Sequence, residues 1–366
     1  VVNLTVREQK TAEGHAVRAV YMYCAMADLA CEYNDSELFK ACEILWKNIV
    51  DKRMYITGSI GSSGLLERFT TDYDLPNDSN YSETCASIGL ALFGLRMAKI
   101  TRKAKYIDVV ERALYNTVIS GISMDGKSFF YVNPLEVWPD SCLSRTSKEH
   151  VKPVRQKWFG VACCPPNIAR TLASLGQYIY MKAKDTLYIN LFVSNTSVVE
   201  LEEKNIYVEL VTDFPNDNNI NLKVSSNNDN KASIAIRIPD YAENFNITIN
   251  GKSFLFEVNK GFAVINGSFN DDIIKVKFDS PARFMYSNPL LRADFAKVAI
   301  TKGPLVYCLE EVDNGSNLSG IMVNTAEEIS EIYDENLLGG TTLLYVNGKK
   351  VDDKNSSREK LYLNKR

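Results

Sequence analysis

Near residue 184 the hydrophobic period of this chain changes. Upstream, apolar residues recur every three or four positions: Val17, Val20, Cys24, Ala27 and Cys31, then Leu38, Cys42, Leu45 and Ile49 behind Asp35-Ser36. That spacing predicts two helices, each with one face to bury, the second capped at its start. Downstream, runs such as TLYINLFV, SVVELE, NIYVELV, ASIAIRI and DIIKVKF alternate and are parted by Asn, Asp and Gly. Short antiparallel strands in a sandwich or jelly-roll-like region are expected there. The expected division is a helical unit over 1–183, a β-sandwich region over 184–333, and a polar tail over 334–366 that reads as a hairpin and a frayed end.

Within the helical unit, residues 83–99 are small or apolar nearly all round, as suits a helix enclosed by others. Residues 104–120 are more amphipathic, SFFYVNPLEVW is β-like, and a last helix is expected from about Pro165 to Met181 on Ile168, Leu172, Leu175 and Ile179. Cys24, Cys31, Cys42 and Cys308 read as core residues. Between Met54 and Asn80 the pattern breaks into a long loop punctuated by Gly58, Gly61, Gly64 and Pro76. Loops of this length inside a compact unit are commonly functional. Its glycines match neither a dinucleotide fingerprint nor a Walker A motif.

A net charge of -3 and a pI near 5.7 provide no basic field for nucleic acid and suit a small neutral substrate. No segment of about 18 apolar residues capable of spanning a membrane is expected. Eight cysteines spread through the chain, with no signal-peptide pattern at its start, favour a reducing, cytoplasmic setting.

The chemistry-bearing stretches are VACCPPNIAR, with Cys163-Cys164, and NYSETCASIGL, with Glu83 and Cys85. Adjacent cysteines pair with each other only under strain, so thiolate chemistry or metal ligation is the better reading, with small buried hydrophobes as the alternative. Both stretches look like helix starts. Pro165 and Pro166 suit first helical positions, and Ser82 is a fair N-cap. Sulfurs at the positive ends of two helices would be favoured as thiolates. Glu83, Cys85, Cys163 and Cys164 together make up the ligand count of a tetrahedral zinc site.

Taken together, GHAVRAVYMY, TGSIGSSG, LLERFTTDYDLPNDSNYSETCAS, VACCPPNIAR and VAITKGPLVYCLE resemble the signature stretches of glycoside hydrolase family 127, the β-L-arabinofuranosidases, over most of residues 10–310. The resemblance implies a partial (α/α)6 toroid, about half of the barrel, followed by β-sandwich domains. It implies Zn2+ held by Glu83, Cys85, Cys163 and Cys164, with Cys163 also the nucleophile and Glu67 the general acid/base. It implies retaining release of terminal β-L-arabinofuranose from an arabinose-containing oligosaccharide. His15, Glu111 and Tyr131 fall where substrate-binding residues are expected. Family members carry a further half-toroid upstream, so a homo-oligomer or a complementing N-terminal half is the implied partner, with activity of this chain alone in question. Two other readings compete: a non-catalytic, zinc-stabilised sugar-binding or scaffold remnant of that family, and a thiol-redox protein using the vicinal cysteines.

Overall fold

The computed structural model describes residues 4–351. Its helical part is built from α1 (Ala16–Glu32), α2 (Ser36–Lys52), α3 (Thr84–Thr101), α4 (Lys105–Ala113) and α5 (Cys164–Ala173). α3 is the centre, packed by α1, α4 and α5. Its apolar surface runs all round because neighbours cover nearly all of it. Two glycines set the approach distances: a β-carbon at Gly89 would lie 2.4 Å from Val20, and one at Gly94 would lie 2.9 Å from Trp46. Tyr23, Trp46, Phe93 and Tyr106 form an aromatic cluster between these helices. Contrary to expectation, α3 is long and apolar enough to cross a membrane by length and composition; burial of 72% of that window inside the fold accounts for its apolarity here.

The amphipathic segment over 104–120 is helical, as α4 followed by a π-helical turn, Leu114–Val118, from which Asn116 donates to Pro304 O and accepts from Val306 N. Two further expectations are corrected. SFFYVNPLEVW forms only isolated bridges, Phe129 with Ile122 and Gln156, and Val132 with Glu83. The last helix stops at Ala173, and only one turn, α6 (Gly176–Ile179), follows. Tyr180 and Met181 leave it because they pair in a sheet.

The β part begins with β1 (Tyr180–Ala183), β2 (Thr186–Ile189), β3 (Asn195–Glu200), β4 (Asn205–Thr212), β5 (Asn219–Ser226) and β6 (Ala232–Arg237). It continues through β7 (Glu243–Ile249), β8 (Lys252–Phe254), β9 (Glu257–Asn259), β10 (Phe262–Gly267) and β11 (Asp272–Asp279). These make two sheets, ordered β1-β2-β6-β10-β9 and β3-β4-β5-β11-β7-β8. All pairings are antiparallel except β2 with β6, which is parallel. Leu187, Ile234, Ile236, Ala263 and Ile265 of the first sheet meet Ile206, Val208, Leu222, Ile247, Ile274 and Val276 of the second in one core.

The opposite face of the first sheet, Tyr188, Ala235, Phe262 and Val264, belongs to the helical core. Three layers result: helices, sheet, sheet. The middle layer is covered on both faces, so β6 is buried almost continuously instead of alternating.

A third β region holds β12 (Arg283–Tyr286), β13 (Val298–Lys302) and β14 (Leu305–Tyr307), then β15 (Ile321–Val323), β16 (Ser330–Asp334), β17 (Thr341–Tyr345) and β18 (Gly348–Lys350). β12-β13-β14 form one small sheet, β16 pairs with β17, and β18 returns to β15. The tail thus contains a hairpin, whose first strand starts at Ser330; residues 352–366 lie outside the described residues. Cys24 and Cys42 are core, whereas Cys31 and Cys308 are exposed. Cys31 sits on the outer side of α1, where the period alone cannot say which flank is covered.

Candidate metal centre and active site

Two helix starts and one extended segment bring the predicted cluster together. Glu83 precedes the first residue of α3, its extended backbone (φ -61°, ψ 136°) bridged to Val132. Thr84 N donates to Tyr131 O, and Thr84 Oγ1 to Phe130 O. These bonds stitch the 129–133 segment to the start of α3 and aim Tyr131. Ser82 is not the cap: its left-handed backbone (φ 43°) lets its hydroxyl bond the side chains of Ser59 and Asn80. Cys163 precedes α5 and Cys164 opens it. The sulfurs therefore sit at the positive ends of two helix dipoles, although Pro165 and Pro166 offer no N–H at the start of α5.

The four groups close into one site. Cys85 Sγ lies 3.4 Å from Cys163 Sγ and 3.6 Å from Cys164 Sγ, with 4.0 Å between the vicinal sulfurs. Glu83 Oε1 is 3.1 Å from Cys163 Sγ and 3.9 Å from Cys164 Sγ. Glu83, Cys85 and Cys164 are buried; Cys163 is exposed. Glu83 Oε2 is buried with no hydrogen-bond partner in the protein. Partial desolvation of its sulfur against the cluster, with the Glu83 carboxyl and the Cys85 sulfur beside it, pushes the Cys163 thiol up to about 12 although the residue is exposed, against the Tyr131 hydrogen bond; burial raises the Glu83 carboxyl. Four acid groups at these distances can be ionised together only around a cation. The set could hold a metal ion.

A second cluster shares Glu83. His15 Nε2 lies 2.8 Å from Glu67 Oε2, and donor atoms of His15, Glu67 and Glu83 lie within 4.8 Å of one another. His15 occupies the N-cap position of α1 but makes no side-chain cap bond. Glu67 is carried on a strained turn in which Leu66 (φ 59°) and Glu67 (φ 52°) are both left-handed, at a cost of about 1–3 kcal/mol each. Paired bonds between Ser63 and Arg68, each 3.1 Å, close that turn, and Phe69 N donates to Gly14 O. The turn sets the Glu67 carboxylate beside that of Glu83.

Tyr131 donates or accepts a 2.8 Å bond with Cys163 Sγ. Glu111 is elsewhere. It is buried between α4 and the sandwich, ion-paired with Arg237 and accepting from Tyr241 Oη at 2.7 Å. The structure thus assembles Glu67, Glu83, Cys85, Cys163, Cys164, His15 and Tyr131 in one place, and sets Glu111 apart.

Two neighbours escaped the sequence reading. Tyr81 meets Tyr131 edge-on, and burial followed by the Glu67 and Glu83 carboxylates pushes its hydroxyl up; the Cys85 thiol is held down first by Cys164 and then by Asn167. Both are written into the informative stretches, NYSETC and CCPPN.

The same regions match known proteins. A model of the β-L-arabinofuranosidase GH127 catalytic domain matches residues 2–177, the GH127 middle-domain model matches 186–280, and the family's C-terminal domain model matches 282–347. A non-reducing end β-L-arabinofuranosidase of Bifidobacterium longum subsp. longum is 39% identical over 345 residues, covering 92% of this chain and 52% of that protein. The crystal structure of a GH127 β-L-arabinofuranosidase from Geobacillus stearothermophilus T6 superposes with a TM-score of 0.93 at 44% identity, covering 99% of this chain and 57% of that one. A further GH127 β-arabinofuranosidase structure gives 0.86 at 37% identity, over 94% of this chain and 55% of that one. The chain spans about half the length of these relatives.

Proposed function

The chain belongs to glycoside hydrolase family 127, and from that premise we propose that it carries the reacting groups of a retaining, zinc-dependent β-L-arabinofuranosidase. The observation that carries this reading is the exposure of Cys163, the one residue of the cluster that reaches solvent, while the other three are buried. A group meant only to hold an ion gains nothing from that exposure. A nucleophile needs it.

The cluster suits zinc. A tetrahedral zinc about 2.3 Å from sulfur and about 2.1 Å from oxygen would place sulfurs about 3.8 Å apart and sulfur about 3.6 Å from oxygen. The observed 3.4–4.0 Å and 3.1–3.9 Å bracket those values, and the unpartnered Glu83 Oε2 is free to contribute. When bound, the ion would keep the Cys163 sulfur deprotonated.

Cys163 Sγ would attack the anomeric carbon as Glu67 protonates the departing glycosidic oxygen; the C–O bond breaks and a C–S bond forms. Glu67, now a carboxylate, would take a proton from water, whose oxygen displaces the sulfur from the same carbon. Two inversions give retention. Glu83 lies close enough to Glu67 to suggest the ordinary carboxylate pair, but its burial among three sulfurs leaves no room for attack. His15 would orient Glu67 through its 2.8 Å contact, and Tyr131 would orient Cys163 through its own; both would meet sugar hydroxyls of an arabinose-containing oligosaccharide. We read α1–α5 as about half of an (α/α)6 toroid. The exposed Met22, Leu29 and Tyr33 of the first hairpin fit a complementing helical half.

The decisive measurement is metal content and turnover together. About one zinc per chain, lost in Cys164→Ser, with release of L-arabinose from a β-L-arabinofuranoside and initial β-product by NMR, is expected. Zinc without turnover would leave the sugar-binding or scaffold reading.

A further inference from the structure

Gly64 has an ordinary helical backbone, φ -68° and ψ -22°, which any residue adopts. Conformational freedom is therefore not why a glycine stands there. A β-carbon at Gly64 would meet the His150 imidazole, with Cε1 at 3.0 Å, Nδ1 at 3.1 Å and Nε2 at 3.3 Å. Two residues on, the situation reverses: Leu66 and Glu67 need left-handed φ and are not glycines. The turn gives up a side chain to admit a ring, and keeps side chains where the backbone is strained.

His150 has no part in the chemistry above, yet it touches residues that adjoin the groups that do. Its ring lies on Tyr81, centroids 5.7 Å apart and planes inclined by 33°. Its Nε2 is 3.1 Å from Ser79 O. Tyr81, whose hydroxyl is pushed up by burial and then by the Glu67 carboxylate, meets the Tyr131 ring edge-on at 6.2 Å, and Tyr131 Oη reaches Cys163. The stretch that carries His150 is anchored by the buried Val151 and by the Lys148–Asp78 ion pair.

We infer that His150 is a positioning residue for Glu67. Its imidazole is a wedge between Gly64 and Tyr81 that holds the strained Leu66–Glu67 turn and the Tyr81 hydroxyl in register with the cluster. It acts through those neighbours and does not touch the sugar. The catalytic half of this inference rests on the proposed acid/base role of Glu67; the wedge itself does not.

The test is a double-mutant cycle in the full chain: Gly64→Ala, His150→Ala and both together, with His150→Phe as a ring-retaining control. Amide hydrogen exchange of the peptide spanning Leu65–Arg68 should rise about tenfold or more in each alanine variant. The double variant should be no worse than His150→Ala, because the new methyl enters the space the ring vacated. His150→Phe should stay near the parent. Turnover on a sugar leaving group, which needs protonation, should fall about tenfold more than turnover on an activated aryl leaving group. Additive single effects, or unchanged exchange in His150→Ala, overturn the wedge. Altered exchange with equal losses on both leaving groups overturns its link to Glu67. If the parent hydrolyses neither substrate, the activity reading fails while the exchange cycle still decides the wedge.

Discussion

Two constellations of acid groups among the described residues invite comparison, one built on a glutamate just ahead of α3 and the other on a glutamate within α4. In one, Glu83 is packed with Cys85, Cys163 and Cys164, leaving Oε2 without a partner and one sulfur exposed. In the other, Arg237 reaches Asn190 O at 2.6 Å with Nε, Asp108 Oδ1 at 2.7 Å with Nη1, and Glu111 with Nη2, while Tyr241 donates to the remaining Glu111 oxygen. The second set carries its own cation and uses its donors and acceptors on itself. The first has four acid groups and no lysine or arginine among them, and the imidazole of His15, near Glu83, is shared with Glu67. Burial of charge alone does not mark a site; burial that the protein leaves uncompensated does.

The largest expected effect belongs to the uncompensated set. Cys163→Ala should reduce glycoside turnover about 10⁴-fold or more while leaving the melting temperature within a few degrees of the parent. Residual turnover within tenfold of the parent would remove Cys163 from the nucleophile role and return it to plain ligation.

For the self-compensated set the effect should fall on stability instead. Arg237→Met strands Asp108 and Glu111 in the helix–sandwich junction, and about 3–5 kcal/mol should be lost in denaturant melts. A loss below about 1 kcal/mol would mean that the junction admits water and the contrast between the two sets is weaker than drawn.

One cation facing two carboxylates also leaves a signature in pH. Burial pushes the Asp108 carboxyl up to about 7, although Arg237 opposes the shift. A folded value above the unfolded one means that the folded chain holds the extra proton. The associated stability is full below about pH 4 and fades as pH rises through about 7. Between pH 5 and 8 the parent should lose about 3 kcal/mol relative to Asp108→Asn; parallel pH profiles would show that Asp108 is ionised throughout.

The smallest effect tests the rim of the open site. Tyr131→Phe removes the 2.8 Å contact with Cys163 and should slow turnover about tenfold with zinc content unchanged. Loss of zinc in that variant would instead make Tyr131 a support of the ligand set.

The contrast also explains which parts of the site were readable. Glu83, Cys85, Cys163 and Cys164 announce themselves as residue types at helix starts, and local pattern places them. Glu111 sits on an amphipathic helix like many solvated carboxylates, and only the arrival of Arg237 on β6, 126 residues later, makes it structural. Ser82 has the composition of a cap and the conformation of a turn, because Ser59 and Asn80 compete for its hydroxyl. Cys31 and Cys308 carry the same side chain as Cys42 and are exposed, since a thiol says nothing about which face a partner covers.

The period change near residue 184 and the two cysteine stretches determined the order of helices and strands, the antiparallel character of most of the β part, and the identity of the sulfur and carboxylate groups. Those are local properties, set by side-chain spacing and helix-end chemistry. Tertiary structure alone decided that the first sheet is covered on both faces, that β2 runs parallel to β6, that Glu67 is held on a strained turn against His15, and that Glu111 is locked away from the cluster. Each of these depends on contacts between residues far apart in the chain, where the choice among partners is made by packing and charge compensation and leaves no local period to read.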